Sequence, residues 1–157
     1  MAKLPSKIGL ISDTHGLLRE EAVHALQGAE LIVHAGDVGT PEILESLQQI
    51  APVIAVRGNV DTSPWTHNLP LTAVVETAGP VIYVLHDLDQ LDLNPAPAGF
   101  GIVISGHSHK PAKKERDGVL YLNPGSAGPR RFNLPVTTAW LYLEKLPWRV
   151  EFVELPV

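Results

Sequence analysis

Five short apolar segments of this sequence each end in residues that can bind a metal ion. The segments run over residues 7–12, 31–35, 53–56, 81–85 and 102–105, and their apolar character predicts buried β-strands. The residues that follow them are Asp13 with His15, Asp37, Asn59, His86, and His107 with His109. One such residue after a strand is usually a turn former or a helix cap. Sites in α/β sheets form beyond the carboxyl ends of strands. Five strand ends that all carry possible metal ligands therefore predict one shared site.

The last of these segments carries the strongest signal, since residues 102–109 read Ile-Val-Ile-Ser-Gly-His-Ser-His. In an extended chain, residues two positions apart point to the same side, so His107 and His109 can face one space. Paired imidazoles suit metal binding. Taken alone, the pair is equally typical of a solvated polar loop, and the four other strand ends favour the metal site.

The order of the predicted elements is that of an α/β protein. In the first half, strands alternate with helices predicted at residues 19–27 and 41–49, the second capped by Thr40 with Pro41 at its first position. Residues 87–101 carry three aspartates and two prolines and predict mostly loop. Strands dominate the second half: a hairpin over residues 71–85, a hairpin around Asp117-Gly118, and final strands at residues 136–143 and 148–155.

Composition limits the classes of function. With 157 residues and 45% hydrophobic content, the chain predicts a single domain over residues 1–157. The absence of cysteine excludes disulfides and thiolate ligands, and a formal charge of −5 argues against a dedicated nucleic-acid binder. No apolar run approaches the roughly 18 residues of a membrane span, and the N-terminus lacks a signal-peptide pattern. We therefore expect a soluble, cytoplasmic protein without membrane contacts.

The five motifs are Asp-x-His, Gly-Asp, Gly-Asn, a strand-ending His and Gly-His-x-His, and in this order they resemble the calcineurin-like metallophosphoesterase superfamily. Residues 56–61 (Val-Arg-Gly-Asn-Val-Asp) and 123–126 (Asn-Pro-Gly-Ser), with Pro129-Arg130, resemble its small single-domain bacterial and archaeal phosphodiesterases. The resemblance implies a four-layer α-β-β-α sandwich of two mixed sheets flanked by helices. It places the metal site at the carboxyl ends of the strands.

The resemblance also implies two divalent metal ions. One ion would be held by Asp13, His15, Asp37 and His109, and the other by Asp37, Asn59, His86 and His107, with Asp37 bridging. Imidazole, carboxylate and amide ligands suit manganese, nickel, iron or zinc, and manganese is the ion we expect. Two cations with only two ligand carboxylates keep a positive charge, which favours a phosphate substrate.

The activity that the resemblance implies is phosphodiester hydrolysis, in which a metal-bridging hydroxide attacks phosphorus in line. The residues expected to carry it are Asp37, Asn59 and His107, and the expected substrate is a small phosphate ester. Candidates for substrate contacts are Arg57, Asn123 and Arg130. A turn for Asn123 and surface salt bridges for the two arginines are the alternatives left open, and so is the formation of a homo-oligomer.

Two departures from the family pattern bear on mechanism. Val60 and Asp61 follow Gly-Asn where many relatives have a histidine, so no dedicated proton donor is visible. Esters with poor leaving groups should therefore react slowly. Asp87 and Leu88 follow His86 where relatives often have Gly-His, which adds charge beside the second ion and bears on metal affinity and substrate choice.

Two other classes of function are weighed against this one. A catalytically silent interaction module, like the retromer subunit of similar fold, is the main alternative, but every ligand position is filled here. A zinc hydrolase of amides or lactams would be expected to use an early His-x-His-x-Asp cluster, whereas the early cluster here begins with Asp13. His34 is expected to be a packed residue that orients a ligand.

Overall fold

The computed structural model describes residues 3–157, so the first two residues of the predicted domain lie outside it. Ten strands and two α-helices are described, with 3-10 helices at Pro64–Asn68 and Leu88–Gln90. The first half contains β1 (Lys7–Ile11), α1 (Glu20–Ala25), β2 (Leu31–His34), α2 (Pro41–Gln48) and β3 (Val53–Ala55). The second half contains β4 (Thr72–Val75), β5 (Val81–Leu85), β6 (Phe100–Ile104), β7 (Pro111–Arg116), β8 (Val119–Pro124), β9 (Thr137–Tyr142) and β10 (Arg149–Glu154).

The strands form two mixed sheets of five strands. The first has the order β10-β9-β1-β2-β3, in which β1, β2 and β3 are parallel and β9 runs antiparallel to β1 and β10. The second has the order β4-β5-β6-β8-β7, in which β5, β6 and β8 are parallel and the two edge strands are antiparallel. Each sheet therefore directs the carboxyl ends of three parallel strands toward one edge.

The main core lies between the two sheets. Alternate residues of a strand face the same side, so Ile8 and Leu10 of β1 meet Ile82 and Val84 of β5 in one buried cluster. The other face of the first sheet is covered by α1 and α2, through residues such as Leu47. Burial of apolar side chains on both faces explains why these strands read as nearly continuous apolar runs.

The layer over the outer face of the second sheet is thinner. There, Tyr83, Leu85 and Val103 pack against Leu91 and Leu93, which belong to the segment around the second 3-10 helix. The predicted α/β fold with two mixed sheets is confirmed, with loop and 3-10 helix forming this fourth layer. Among residues 3–157, no helix is long and apolar enough to cross a membrane.

The local elements follow the predicted ones within a few residues. At the β7–β8 turn, Asp117 and Gly118 have φ values of 53° and 77°, the left-handed conformation that a two-residue hairpin loop requires. Residues 87–101 form one short 3-10 helix before β6 begins, as the aspartates and prolines predicted. One detail differs: Pro41 begins α2 and Thr40 is its N-cap, but the Thr40 side chain makes no capping hydrogen bond.

Candidate metal centre

All seven predicted ligands lie together where the parallel strands of both sheets end. Two groups each offer three ligand atoms within 4.8 Å of one another. The first consists of Asp13, His15 and His109, and the second of Asp37, His86 and His107. Strands of the first sheet supply both aspartates, and strands of the second supply three of the histidines. The centre is therefore assembled only when the sheets pack face to face.

Asp13 is the middle of the first group. Its Oδ1 atom lies 3.4 Å from Nε2 of His109 and 3.8 Å from Nε2 of His15, and those two nitrogens are 3.4 Å apart. The other oxygen, Oδ2, accepts hydrogen bonds from Ser12 Oγ at 2.6 Å and from the His107 backbone N–H at 3.1 Å. Oδ2 is thus fixed by the protein, and Oδ1 faces the two imidazoles.

Asp37 lies between the two groups. Its Oδ2 atom is 3.1 Å from Nε2 of His86 and 3.7 Å from Nε2 of His15. Its Oδ1 atom accepts a hydrogen bond from the Val60 N–H at 3.0 Å. One carboxylate oxygen therefore contacts a histidine of each group, which is the position that a bridging ligand needs.

Asn59 joins the second group through its side-chain oxygen. Oδ1 lies 3.0 Å from Nε2 of His86 and 3.1 Å from Nδ1 of His107. The far side of the His107 ring faces Asp87, whose Oδ2 atom is 3.9 Å from Nε2. His107 therefore presents Nδ1 to the centre, whereas His15, His86 and His109 present Nε2.

The backbone of the ligand residues is unusual. Among the described residues, seven other than glycine have positive φ, and five of these are predicted ligands. The five are Asp13 (55°), His15 (46°), Asp37 (57°), His107 (71°) and His109 (63°). Such conformations cost free energy for residues with a Cβ atom and concentrate at functional sites. These conformations turn the chain where it leaves β1, β2 and β6.

Two glycines allow the loops to approach. A Cβ atom at Gly58 would overlap the backbone and carboxylate of Asp37, and a Cβ atom at Gly106 would overlap Ser12 Oγ and the Asp13 carboxylate. Each glycine directly precedes a predicted ligand, Asn59 or His107. The Gly-Asn and Gly-His pairs of the sequence therefore reflect a steric requirement.

Asp61 is a functional residue that the sequence analysis missed. It is buried, and its carboxylate accepts hydrogen bonds from the backbone N–H groups of Gly58 (2.8 Å), Val38 (3.2 Å) and Gly39 (3.2 Å). These donors belong to the loops that carry Asn59 and Asp37. A carboxylate three residues after Gly58 was the available signal, because it matches the spacing of a side chain that caps a turn.

His34 is buried, and among residues 3–157 it makes no hydrogen bond to a ligand side chain. Its Nδ1 atom accepts from the Gly36 N–H at 3.1 Å, so Nε2 carries the proton and donates to Thr14 Oγ1 at 3.0 Å. Thr14 Oγ1 in turn donates to the Val38 carbonyl at 2.7 Å. His34 thus holds the loops that follow β1 and β2, and burial lowers its pKa to about 4. The expected orienting role stays a prediction, and these hydrogen bonds would exert it through the backbone.

The charges of the centre favour an ionised Asp37. Burial alone would raise the pKa of Asp37, but hydrogen bonds from His86 and the Val60 N–H outweigh it and lower the pKa. For His86, burial opposes protonation, while hydrogen bonds to Asp37 and to the Ala35 carbonyl raise the pKa overall. Burial lowers the pKa of His15. The centre therefore holds an anionic carboxylate beside imidazoles in differing environments.

The arrangement of lone pairs fits divalent cations. Nδ1 of His86 lies 2.7 Å from the Ala35 carbonyl and donates to it, so the neutral form of the ring, which is the form that binds an ion, would direct its Nε2 lone pair at oxygens of Asp37 and Asn59. Within residues 3–157, the buried Oδ1 atom of Asp13 has no hydrogen-bond partner, although two imidazole nitrogens lie nearby. Converging lone pairs repel unless a cation lies among them, and histidine ligands commonly donate their second N–H to a carbonyl.

The three predicted substrate contacts lie in different places. Arg57 borders a cleft beside Asn59, and its buried Nε atom has no hydrogen-bond partner among the described residues. Asn123 is buried, and its side-chain amide donates to the Gly106 carbonyl and to Ser108 Oγ while its Oδ1 atom accepts from the Gly125 N–H. The structure therefore favours the turn-forming alternative. Arg130 donates to the carbonyls of Leu134 and Val157 and is not brought to the ligand cluster by any described contact.

The sequence profile of the calcineurin-like phosphoesterase superfamily domain matches residues 7–146. The chain belongs to this superfamily. It is 34% identical over 140 residues to a probable metallophosphoesterase of Methanothermobacter thermautotrophicus, covering 82% of this chain and 81% of the relative. It is 31% identical over 150 residues to the phosphodiesterase YfcE of Escherichia coli, covering 76% of this chain and 78% of the relative. The predicted family and the predicted class of enzyme, a phosphoesterase, are confirmed.

Solved structures of other proteins show the same fold. A novel archaeal phosphodiesterase matches with a TM-score of 0.78 at 24% identity, covering 94% of this chain and 99% of that chain. Vps29 of Chaetomium thermophilum matches with a TM-score of 0.77 at 18% identity, covering 96% of this chain and 97% of that chain. At these identities the likeness establishes architecture, and function has to be argued from the centre itself.

Proposed function

We propose that this protein hydrolyses phosphodiesters with two divalent metal ions held at the centre described above. The proposal depends most on the position of Asp37, whose Oδ2 atom contacts a histidine of each ligand group. Asp13, His15 and His109 would complete one ion's ligands, and Asn59, His86 and His107 the other's. Nitrogen and oxygen ligands suit several transition metals, and manganese is the ion we propose.

The bound ions would supply positive charge for the phosphate oxygens and would lower the pKa of a water molecule to near neutrality. The protein's own residues fix where this happens. Asp37 is ionised between the two groups, and Ser12 and the His107 N–H hold Asp13 so that one oxygen faces inward. Asn59, His86 and His107 converge on the same space and would hold the second ion there.

No residue of the chain is assigned as a proton donor to the leaving alcohol. The position after Gly-Asn is occupied by Val60, which is exposed and cannot donate a side-chain proton. We therefore propose a small phosphate ester with a good leaving group as the favoured substrate, since an alkoxide of high pKa would depart slowly. A cytoplasmic location is part of this proposal.

The test is turnover of bis(4-nitrophenyl) phosphate by protein that was first stripped of metal with a chelator. We expect no turnover in the stripped protein and recovery on titration with manganese, saturating near two equivalents per chain. The alternative, a silent interaction module of the same fold, gains support from the likeness to Vps29. Metal uptake without turnover, or no uptake at all, would favour this alternative.

A further inference from the structure

A cleft of about 580 Å³ opens directly beside the metal centre. Asn59 and His86, two of the predicted ligands, are among the residues that line it. Its volume lies within the range of small-molecule sites and exceeds what a phosphate group fills. A substrate whose phosphate lies at the centre can therefore extend one of its organic arms into this space.

Part of the cleft lining is apolar. Tyr83 and Leu85 are alternate residues of β5 and point to the outer face of the second sheet, and Leu85 pairs with Thr72 of β4. Leu71, just before β4, is 62% exposed and belongs to the same lining. An exposed leucine beside buried apolar residues offers a surface that a ring-sized apolar group would cover favourably.

The rest of the cleft lining is polar and carries more negative than positive charge. Asp87, Gln90 and Asp92 come from the segment that holds the second 3-10 helix, and Arg57 precedes Asn59 by two residues in the chain. The lining therefore contains one guanidinium and two carboxylates. The single arginine suits the one charge of a phosphodiester, while the carboxylates would repel a second anionic group on the arm.

We propose that this cleft selects phosphodiesters in which one arm is an uncharged, ring-sized group with an apolar face. The inference rests on the proposed function, because it takes the phosphate to lie at the metal centre. Hydroxyl or amine groups on the edge of the ring would find acceptors in Asp87 and Asp92. Carboxylated or phosphorylated arms are disfavoured by the same two side chains.

The experiment measures binding of three slowly hydrolysed diesters to the manganese-loaded protein by calorimetry. Dimethyl phosphate, methyl phenyl phosphate and methyl 4-carboxyphenyl phosphate differ only in one arm. We expect the phenyl arm to tighten binding at least about tenfold over the methyl arm, as burial of a ring predicts, and the carboxylate to cancel that gain. Leu71→Ala should reduce the phenyl gain several-fold, and Asp92→Asn should improve binding of the carboxylated ester.

Two matched variants serve as controls. Leu146→Ala alters another exposed leucine, and Asp89→Asn removes a carboxylate from the same segment, but neither residue lines the cleft. Equal affinity for the methyl and phenyl esters, or an equal effect of Leu71→Ala and Leu146→Ala, would overturn the inference and leave the proposed function intact. If no diester binds and bis(4-nitrophenyl) phosphate is not turned over, the proposed function and this inference both fall.

Discussion

The Nε2 atom of His86 lies 3.1 Å from the Oδ2 atom of Asp37, and this contact joins the two sheets at their shared edge. Asp37 follows β2 of the first sheet, and His86 follows β5 of the second. The contact forms only when the apolar faces of both sheets are buried against each other. Assembly of the centre is therefore a consequence of packing the main core.

Replacement of Asp37, the proposed bridging carboxylate, should separate function from folding. In Asp37→Asn, we expect turnover of an aryl phosphodiester with manganese to fall at least about a hundredfold, because the negative charge between the two proposed ions would be lost. Circular dichroism should show unchanged secondary structure. The matched control is Asp117→Asn, which makes the same exchange at another positive-φ residue in the β7–β8 turn. Equal activity of the two variants would refute the role of Asp37.

Removal of the Asp61 side chain should weaken both the fold and the centre. Asp61→Ala leaves two buried and one partly buried backbone N–H groups without their acceptor, which should lower the free energy of unfolding by about 1–3 kcal/mol. Urea titration of metal-free protein measures this loss, and manganese titration should show weaker binding. Asp89→Ala, at an exposed position, serves as the control. A variant as stable as the wild type would contradict the contribution assigned to these bonds.

His34 should make stability depend on pH between its two pKa values. The buried imidazole stays neutral down to pH about 4, whereas in the unfolded chain it takes up a proton below its ordinary pKa of 6.5. The unfolded state therefore gains protons first, and the free energy of unfolding falls as the pH drops from 6.5 toward 4, by about 3 kcal/mol.

The test compares metal-free wild type with His34→Gln by urea unfolding at several pH values. The stability advantage of the wild type over the variant should shrink as the pH falls through this window. His24→Gln, at an exposed helical position, should leave the pH dependence as it is in the wild type. An advantage that stays constant with pH would show that the His34 imidazole is not kept neutral in the folded protein.

Asp87 should orient the ring of His107. The Oδ2 atom of Asp87 lies 3.9 Å from Nε2 of His107, while Nδ1 of His107 faces Asn59. The carboxylate therefore favours the tautomer with the proton on Nε2, which leaves Nδ1 free to bind an ion. Asp87→Asn should weaken binding of one of the two metal equivalents by about tenfold. Titration measures the affinity, and nitrogen NMR of the zinc-loaded protein reports the tautomer. An unchanged affinity with a mixed tautomer population in the wild type would reject this role.

Much of the fold could be predicted because its strands are short apolar runs that end in polar motifs. The Asp117-Gly118 turn was visible because few residue pairs adopt positive φ at both positions. Strand order was less accessible: β8 follows β7 in a hairpin yet also pairs in parallel with β6, and β9 joins the first sheet beside β1. Such pairings depend on tertiary packing, which residue patterns along the chain do not encode.

The candidate site was predicted to the extent that its residues follow strands. The contacts of Arg130 were not predicted, because a long, exposed side chain can reach partners that the sequence pattern does not indicate. Here it donates to the carbonyls of Leu134 and Val157. The role of Asn123 was ambiguous because its amide suits both a turn and a phosphate contact. In the structure, the amide forms hydrogen bonds with the backbone of Gly106 and Gly125. Asp61 was overlooked because its three backbone partners belong to two separate loops.

The most direct test of the central claim is an anomalous difference map from crystals grown with manganese, measured near the manganese absorption edge. The account predicts two peaks in each molecule, one among Asp13, His15 and His109 and one among Asp37, His86 and His107, with the Asp37 carboxylate between them. A map with the seven side chains in place and no anomalous peak among them, or with a single peak that Asp37 does not contact, would contradict it.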